Sequence, residues 1–546
     1  MDHANGAEAL ARLIRTWQGG PAFHVPGEGI LDLLDALEGQ AVPLVSCRHE
    51  AGAAVAAQAV GQVTGLPGIC LVGRAPGALN AALALHTART DGAPMILIVG
   101  QPPATIAGRE PYLDTADFAR ALGPSAKWVG GCDRAERLVE QFSRAWATAL
   151  DTRRGPVVLA IHEEVWSEDI PLTSIPVSPP DPQRPCAPEA ELDRIVQALG
   201  QARRPLVIAG GTGWTAQSAA DLARFASATG IPVATAYRRR DLMPSGHPLF
   251  AGELGIGADP ALTRHVAESD CLLVLGMRLG EINTFGAQIF EGYRLIDAPV
   301  PAQSVFHVHP DPAELNAVYR TAGAILADPA EVLTQLLARP APQPACTDWA
   351  RALRTAREAF TTGRPCPGPL DLRAVFRTLR AALPADAMLT VGAGAYAHWP
   401  QRYVPHERFG TQLGPKSGAM GYALPAAIGV QAAQPGRRVV AVAGDGCFMM
   451  QGEELATAAL YRLPIVTLVI NNSLYGAIAA SQSRMFGRRS GVALAPIDFA
   501  QLAGAMGVAA YKVTTTDAFA PALAAALAQD GPSLIELVTT EEALKP

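Results

Sequence analysis

Paired cysteines are missing from this sequence. The eight cysteines (Cys47, Cys70, Cys132, Cys186, Cys271, Cys346, Cys366 and Cys447) include no CxxC pair. Scattered single thiols argue against a zinc site or a disulfide framework, and for a reducing compartment. Charge is also sparse: 17% of residues are charged, the net charge is −6, and no basic block occurs. Nucleic acid and anionic membrane surfaces are therefore poor partners. The opening stretch MDHANGAEALARLIRTWQGG has no apolar signal core, and no run of about eighteen apolar residues appears anywhere. A cytoplasmic protein is expected.

What the chain does have is apolar bulk. It has 546 residues, 49% of them hydrophobic, which is too long for a single core. Two proline-rich seams, Pro171–Asp193 and Ala338–Ala350, read as surface linkers. They leave three blocks, about 1–170, 190–337 and 355–546. Each block alternates apolar runs with helical patterns: GICLVG and PMILIVG in the first, RPLVIAGG and CLLVLG in the second, RRVVAVAG and PIVTLVI in the third. Continuous apolar strands between helices imply parallel sheets covered on both faces. The expected fold is α/β, with three doubly wound parallel-sheet domains.

The third block carries the sharpest signal. Gly444-Asp445-Gly446 follows the strand-like VVAVAG, and Asn471-Asn472 follows PIVTLVI after 24 intervening residues. Parallel strands joined by a crossover helix end on the same sheet edge, where open α/β sheets hold ligands. An acid and an amide meeting there, with no histidine or cysteine, suit a hard cation such as Mg²⁺. Magnesium borrows further oxygens from a substrate phosphate, and the flanking glycines let backbone N–H groups approach it. Either turn alone is ordinary turn chemistry; the matched pair at two consecutive strand ends is far more specific.

This stretch resembles the signature of thiamine diphosphate (ThDP) enzymes. The three-block order resembles the pyrimidine-binding, central and diphosphate-binding domains of their acetolactate synthase-like branch. The resemblance implies that Asp445, Asn472 and the Leu474 carbonyl hold the metal. It places the cofactor against Gly444, Gly446 and Cys447 on one turn, and against Tyr475, Gly476, Ala477 and Ile478 on the other. Gly392, Ala393 and Gly394, in LTVGAGAYAHW, look like another backbone cradle. In GPKSGAMGYALPAAIG, Met420 becomes the apolar wedge that bends the cofactor, and the Gly418 carbonyl an acceptor for its amino group; a core methionine is the plain alternative. The cofactor supplies the carbanion chemistry, and a carboxyl group must hydrogen-bond its pyrimidine ring. The segment VPLVSCRHEAGAAVAAQAVG resembles the family's RHE stretch and makes Glu50 that acid. A helix-start acid complementing the macrodipole is the alternative. Because the two halves of such a site come from different subunits, the resemblance also implies a homodimer at minimum, commonly a homotetramer.

At the substrate end the motifs thin. Glu28, in FHVPGEG, falls where some 2-oxo acid decarboxylases place a proton donor, and a solvated turn acid is the alternative. His86 and His398 are candidates to touch substrate, or else structural histidines. Relatives carry a phenylalanine–glutamine–glutamate run where this chain has Tyr112, Leu113 and Asp114, so Leu113 replaces a pocket amide. Around Ser481, where acetolactate synthases place a large aromatic, Ala479 and Ala480 are small and Ile478 remains as a wall. The pocket expected is roomier and less polar than an acetolactate synthase's. In the central block, the turn in RPLVIAGGTGWTA lacks the spaced three-glycine fingerprint; Arg278 is the residue that could meet an anionic cofactor, with a plain surface arginine the safer reading. FAD or ADP there stays open. The resemblance implies a ThDP- and Mg²⁺-dependent lyase or ligase of C–C bonds, a decarboxylase or carboligase acting on a 2-oxo acid or 2-hydroxy ketone. A flavin-dependent oxidase resembling pyruvate oxidase and a non-catalytic nucleotide-binding relative are the alternatives.

Overall fold

The computed structural model describes residues 3–106, 109, 117–284, 295–544 and 546. Three six-stranded sheets organise them. The first contains β1 (Ala22–His24), β2 (Leu44–Ser46), β3 (Gly68–Gly73), β4 (Met95–Gln101), β5 (Trp128–Cys132) and β6 (Pro156–His162). The second contains β7 (Pro205–Ala209), β8 (Val233–Thr235), β9 (Phe250–Glu253), β10 (Cys271–Leu275), β11 (Ser304–His309) and β12 (Gly323–Leu326). The third contains β13 (Met388–Val391), β14 (Gln412–Leu413), β15 (Val439–Gly444), β16 (Ile465–Asn471), β17 (Ala509–Val513) and β18 (Ser533–Val538).

The spatial order is β2-β1-β3-β4-β6-β5 in the first sheet and β14-β13-β15-β16-β18-β17 in the third. These are one topology used twice. The second sheet runs β9-β8-β7-β10-β11-β12, a different winding. The central strands pair in parallel and are buried along their length, as the continuous apolar runs require. Among the described residues no helix is long and apolar enough to cross a membrane. All eight cysteines are free thiols, and only Cys186 is exposed.

The chain divides into two compact units. One comprises residues 1–182, 388–397 and 413–544; the other comprises 183–387, 398–412 and 545–546. In the first unit, two alanine- and glycine-rich helices pack together: α1 (Glu50–Thr64) and α2 (Ala423–Ala433). Helix α1 starts at His49, whose side chain accepts from the Ala51 N–H, and stops at Gly65 in the left-handed region. Small side chains let the two backbones approach closely, and a single core runs from Phe23 and Val60 to Ile428 and Phe448. A Cβ added at Gly429 would run into the Ala56 carbonyl. Gly429→Ala is accordingly expected to destabilise the protein by about 1–3 kcal/mol, read as a lower midpoint in denaturant unfolding. After β15 the chain makes a short helical turn, Asp445–Phe448, and then α3 (Glu454–Leu460); after β16 comes α4 (Gly476–Phe486).

Candidate active site

Strands β15 and β16 are parallel neighbours with Gly444 opposite Ile470, so Asp445 and Asn472 emerge side by side at the carboxyl edge. A cavity of about 220 Å³ opens there. Asp445 is 6% exposed. Its Oδ1 accepts from the Gly446 N–H at 2.8 Å, while its Oδ2 is buried without a hydrogen-bond partner. Burial pushes its carboxyl above the usual carboxylate range, against backbone N–H groups from Gly446 and residues 472–474 that pull it down. Such an oxygen needs a cation or a donor.

The two asparagines divide the work. Asn471 is buried; its Nδ2 donates to Glu536 Oε1 at 2.8 Å and to the Ile497 carbonyl at 3.1 Å. It is a strut. Asn472 lines the cavity, and its Oδ1 accepts from the Leu474 N–H at 3.2 Å. The loop carrying Leu474 is pinned from behind by an antiparallel bridge to Ala493, with Tyr475 N–H donating to the Val492 carbonyl and Leu494 N–H to that of Ser473. An unpartnered buried carboxylate oxygen, an amide oxygen and a main-chain carbonyl fit a hard cation.

The same cavity gathers Ala393, Gly394, Gly418, Met420, Gly444, Gly446 and Cys447 with Tyr475, Gly476, Ala477 and Ile478. Gly392 lies just beneath: a Cβ there would stand 2.6 Å from the Cys447 Sγ. A Cβ at Gly444 would stand 2.6 Å from the Tyr396 ring, so only glycine leaves this floor open. Cys447 Sγ accepts from the Gly421 N–H at 3.3 Å. Sequence reasoning missed five lining groups, one of them Ile470 near the end of β16. Tyr396 and Ala395 lay inside the glycine-rich segment already singled out. Ala543 and Leu544, from the chain's last residues, reach the cavity by a tertiary path with no local signal, Leu544 lying against Gly476.

The acids and histidines of the first block stand elsewhere. Glu50, Glu28 and His86 do not line this chain's cavity. Glu50 opens α1, half-buried, and its Oε2 accepts from Asn80 Nδ2 at 2.9 Å, a partner the sequence did not announce. Glu28 is exposed at the tip following β1, and His86 is exposed on the helix Ala82–Asp91. His398 opens a short helix of the second unit, its ring against Gly257. Ser481 sits on α4 with its hydroxyl donating to the Ala477 carbonyl at 3.1 Å, outside the cavity lining. Leu113 lies outside the described residues. Arg278 forms an ion pair with Glu314 at 2.6 Å.

A glycine-floored cavity at the strand tips of a doubly wound sheet defines an α/β protein built to hold a phosphorylated ligand. Family models sharpen that class. The thiamine pyrophosphate enzyme N-terminal TPP binding domain matches residues 4–120, the central domain 192–336, and the C-terminal TPP binding domain 392–537. The chain belongs to the thiamine pyrophosphate enzymes, as a ThDP-dependent enzyme of acetolactate synthase-like type. It is 30% identical to the acetolactate synthase large subunit of Corynebacterium glutamicum, over 99% of this chain and 88% of that protein. It is 30% identical to the isozyme 2 large subunit of Escherichia coli, over 98% and 96%. It is 28% identical to a putative thiamine pyrophosphate-containing protein of Bacillus subtilis, over 99% and 93%.

Proposed function

We propose that the protein is a ThDP- and Mg²⁺-dependent enzyme that breaks or forms a C–C bond beside the carbonyl of a 2-oxo acid or 2-hydroxy ketone. The observation that carries this reading is the buried, unpartnered Asp445 Oδ2 beside Asn472 in a glycine-floored cavity. Bound ThDP supplies the carbanion chemistry. The chain supplies the hold: Asp445, Asn472 and the Leu474 carbonyl take the metal, backbone around Gly444, Gly446 and Gly476 receives the diphosphate, and Met420 supports the rings. Glu50 would hydrogen-bond the pyrimidine ring and hold or release a proton at its carboxyl group. Since Glu50 does not line its own chain's cavity, it serves a partner's, and the working unit is at least a homodimer, commonly doubled to a homotetramer. Eight free cysteines suit a reducing, cytoplasmic setting.

The substrate side is lined by Ile478, 55% exposed at the cavity, and the two residues that follow it on α4, Ala479 and Ala480, are small. This argues for larger 2-oxo acids or aryl aldehydes over pyruvate. Incubation with ThDP, Mg²⁺ and a panel of 2-oxo acids, with analysis of CO₂, aldehyde and acyloin, tests the reading. Turnover of the bulkier donors is expected to exceed that of pyruvate; pyruvate as the preferred donor and acceptor would return the protein to acetolactate synthesis. A flavin absorbance band in the purified protein would favour oxidation instead.

A further inference from the structure

We propose that Glu454 is a positioning residue for Glu50, an inference that rests on the role given to Glu50 above. The segment between β2 and α1 carries Glu50, and its backbone donors are not met locally. The Arg48 N–H donates to Glu454 Oε1 at 3.1 Å and the His49 N–H to the same oxygen at 3.0 Å. Just upstream, the Ser46 N–H donates to the Tyr461 hydroxyl at 2.8 Å. Both acceptors, Glu454 Oε1 and the Tyr461 hydroxyl, come from α3 and its C-terminal end, more than four hundred residues away in the chain.

Glu454 is itself held. It is fully buried, and its Oε2 accepts from the Thr457 hydroxyl at 2.6 Å. A carboxylate kept in the interior for such bonds is costly unless its acceptors are used. Capping α1 does not explain it, because His49 already serves the Ala51 N–H. What Glu454 fixes is the pair of residues immediately ahead of Glu50. A second observation concerns Gly52: a Cβ there would collide with the Glu454 carboxyl. The first turn of α1 is thus shaped to admit this side chain. The segment from Asp445 to Glu454 consequently runs from the cavity's metal-side acid to the tether of the activating acid. Asn80 holds the Glu50 carboxylate, and Glu454 holds the backbone from which it projects.

The test compares Glu454→Ala and Glu454→Gln in the full chain. Glutamine keeps an acceptor oxygen at the same reach; alanine removes it. In cofactor-free protein, amide hydrogen–deuterium exchange over residues 46–50 is expected to speed by about tenfold in the alanine variant and to stay near wild type with glutamine. In protein loaded with ThDP and Mg²⁺, C2 proton exchange is expected to slow by about a hundredfold in the alanine variant. Glutamine should restore most of it, and ThDP affinity should change little. Thr457→Val, which removes only the hydroxyl that orients Glu454, should move both readouts the same way by less, and serves if the alanine variant does not fold. Unchanged exchange at both the amides and C2 would overturn the proposal. So would slowed C2 exchange with amide protection intact, since Glu454 would then not act through that backbone. Wild-type protein that binds no ThDP would fail the cofactor reading by itself, while the amide measurement would still decide whether Glu454 holds the segment.

Discussion

Replacing Glu50 with glutamine is expected to leave ThDP and Mg²⁺ bound while lowering C2 proton exchange by about 10²–10⁴-fold, the range of a lost general acid–base group. The substitution is nearly isosteric. The amide oxygen can still accept from Asn80, and the backbone ahead of it remains tied to Glu454. Packing around Gly77, where an added Cβ would stand 3.3 Å from Glu50 Oε1, also tolerates an atom of the same size. Only the capacity to give and take a proton is removed. Titration calorimetry separates binding from chemistry, and acid-quenched NMR of the cofactor measures exchange directly. Exchange at the wild-type rate would remove Glu50 from the mechanism and leave it the helix-start acid its position also allows.

How much of this was readable beforehand depends on range. The strands were readable because buried parallel strands are written as continuous apolar runs, as VVAVAG and PIVTLVI show. The meeting of Asp445 and Asn472 followed from the geometry of a parallel crossover. Their glycine surroundings followed from the need for backbone to approach closely. What could not be read is what non-local packing decides. Asn471 and Asn472 look alike in sequence, yet Glu536, 65 residues on, claims the first and leaves the second to the cavity. Glu454 looks like one more acid at a helix start until it meets Arg48 and His49. The proline seams mark three blocks, but the first and third share one core through α1 and α2. That pairing depends on which small residues face each other, and periodicity alone does not encode it. Strand order was equally hidden: the first and third sheets wind alike and the second differently, although all three read as the same alternation of strands and helices.

Asp445→Asn is expected to reverse its effect on stability between the empty and the loaded protein. Without metal, the wild-type chain buries a carboxylate oxygen that has no hydrogen-bond partner, and burial opposes its charge. A neutral amide of the same shape relieves that cost, so the cofactor-free variant should melt at or above the wild-type temperature. Once ThDP and Mg²⁺ are present the order inverts. Ligand at a hundred times its dissociation constant stabilises the native state by about 2.7 kcal/mol, and the wild type should gain that increment. The variant has exchanged an anionic ligand for a neutral one in a site where a small, strongly hydrated dication must shed water, so its thermal shift should nearly vanish. Paired melts with and without ThDP and Mg²⁺ read both halves. A variant less stable than wild type when empty would mean that the Gly446 N–H and the neighbouring loop already satisfy the carboxylate. A variant that keeps the full shift when loaded would mean that the cation rests on other oxygens. Because a purely structural aspartate would be missed equally in both states, it is the change of sign that ties Asp445 to a bound cation.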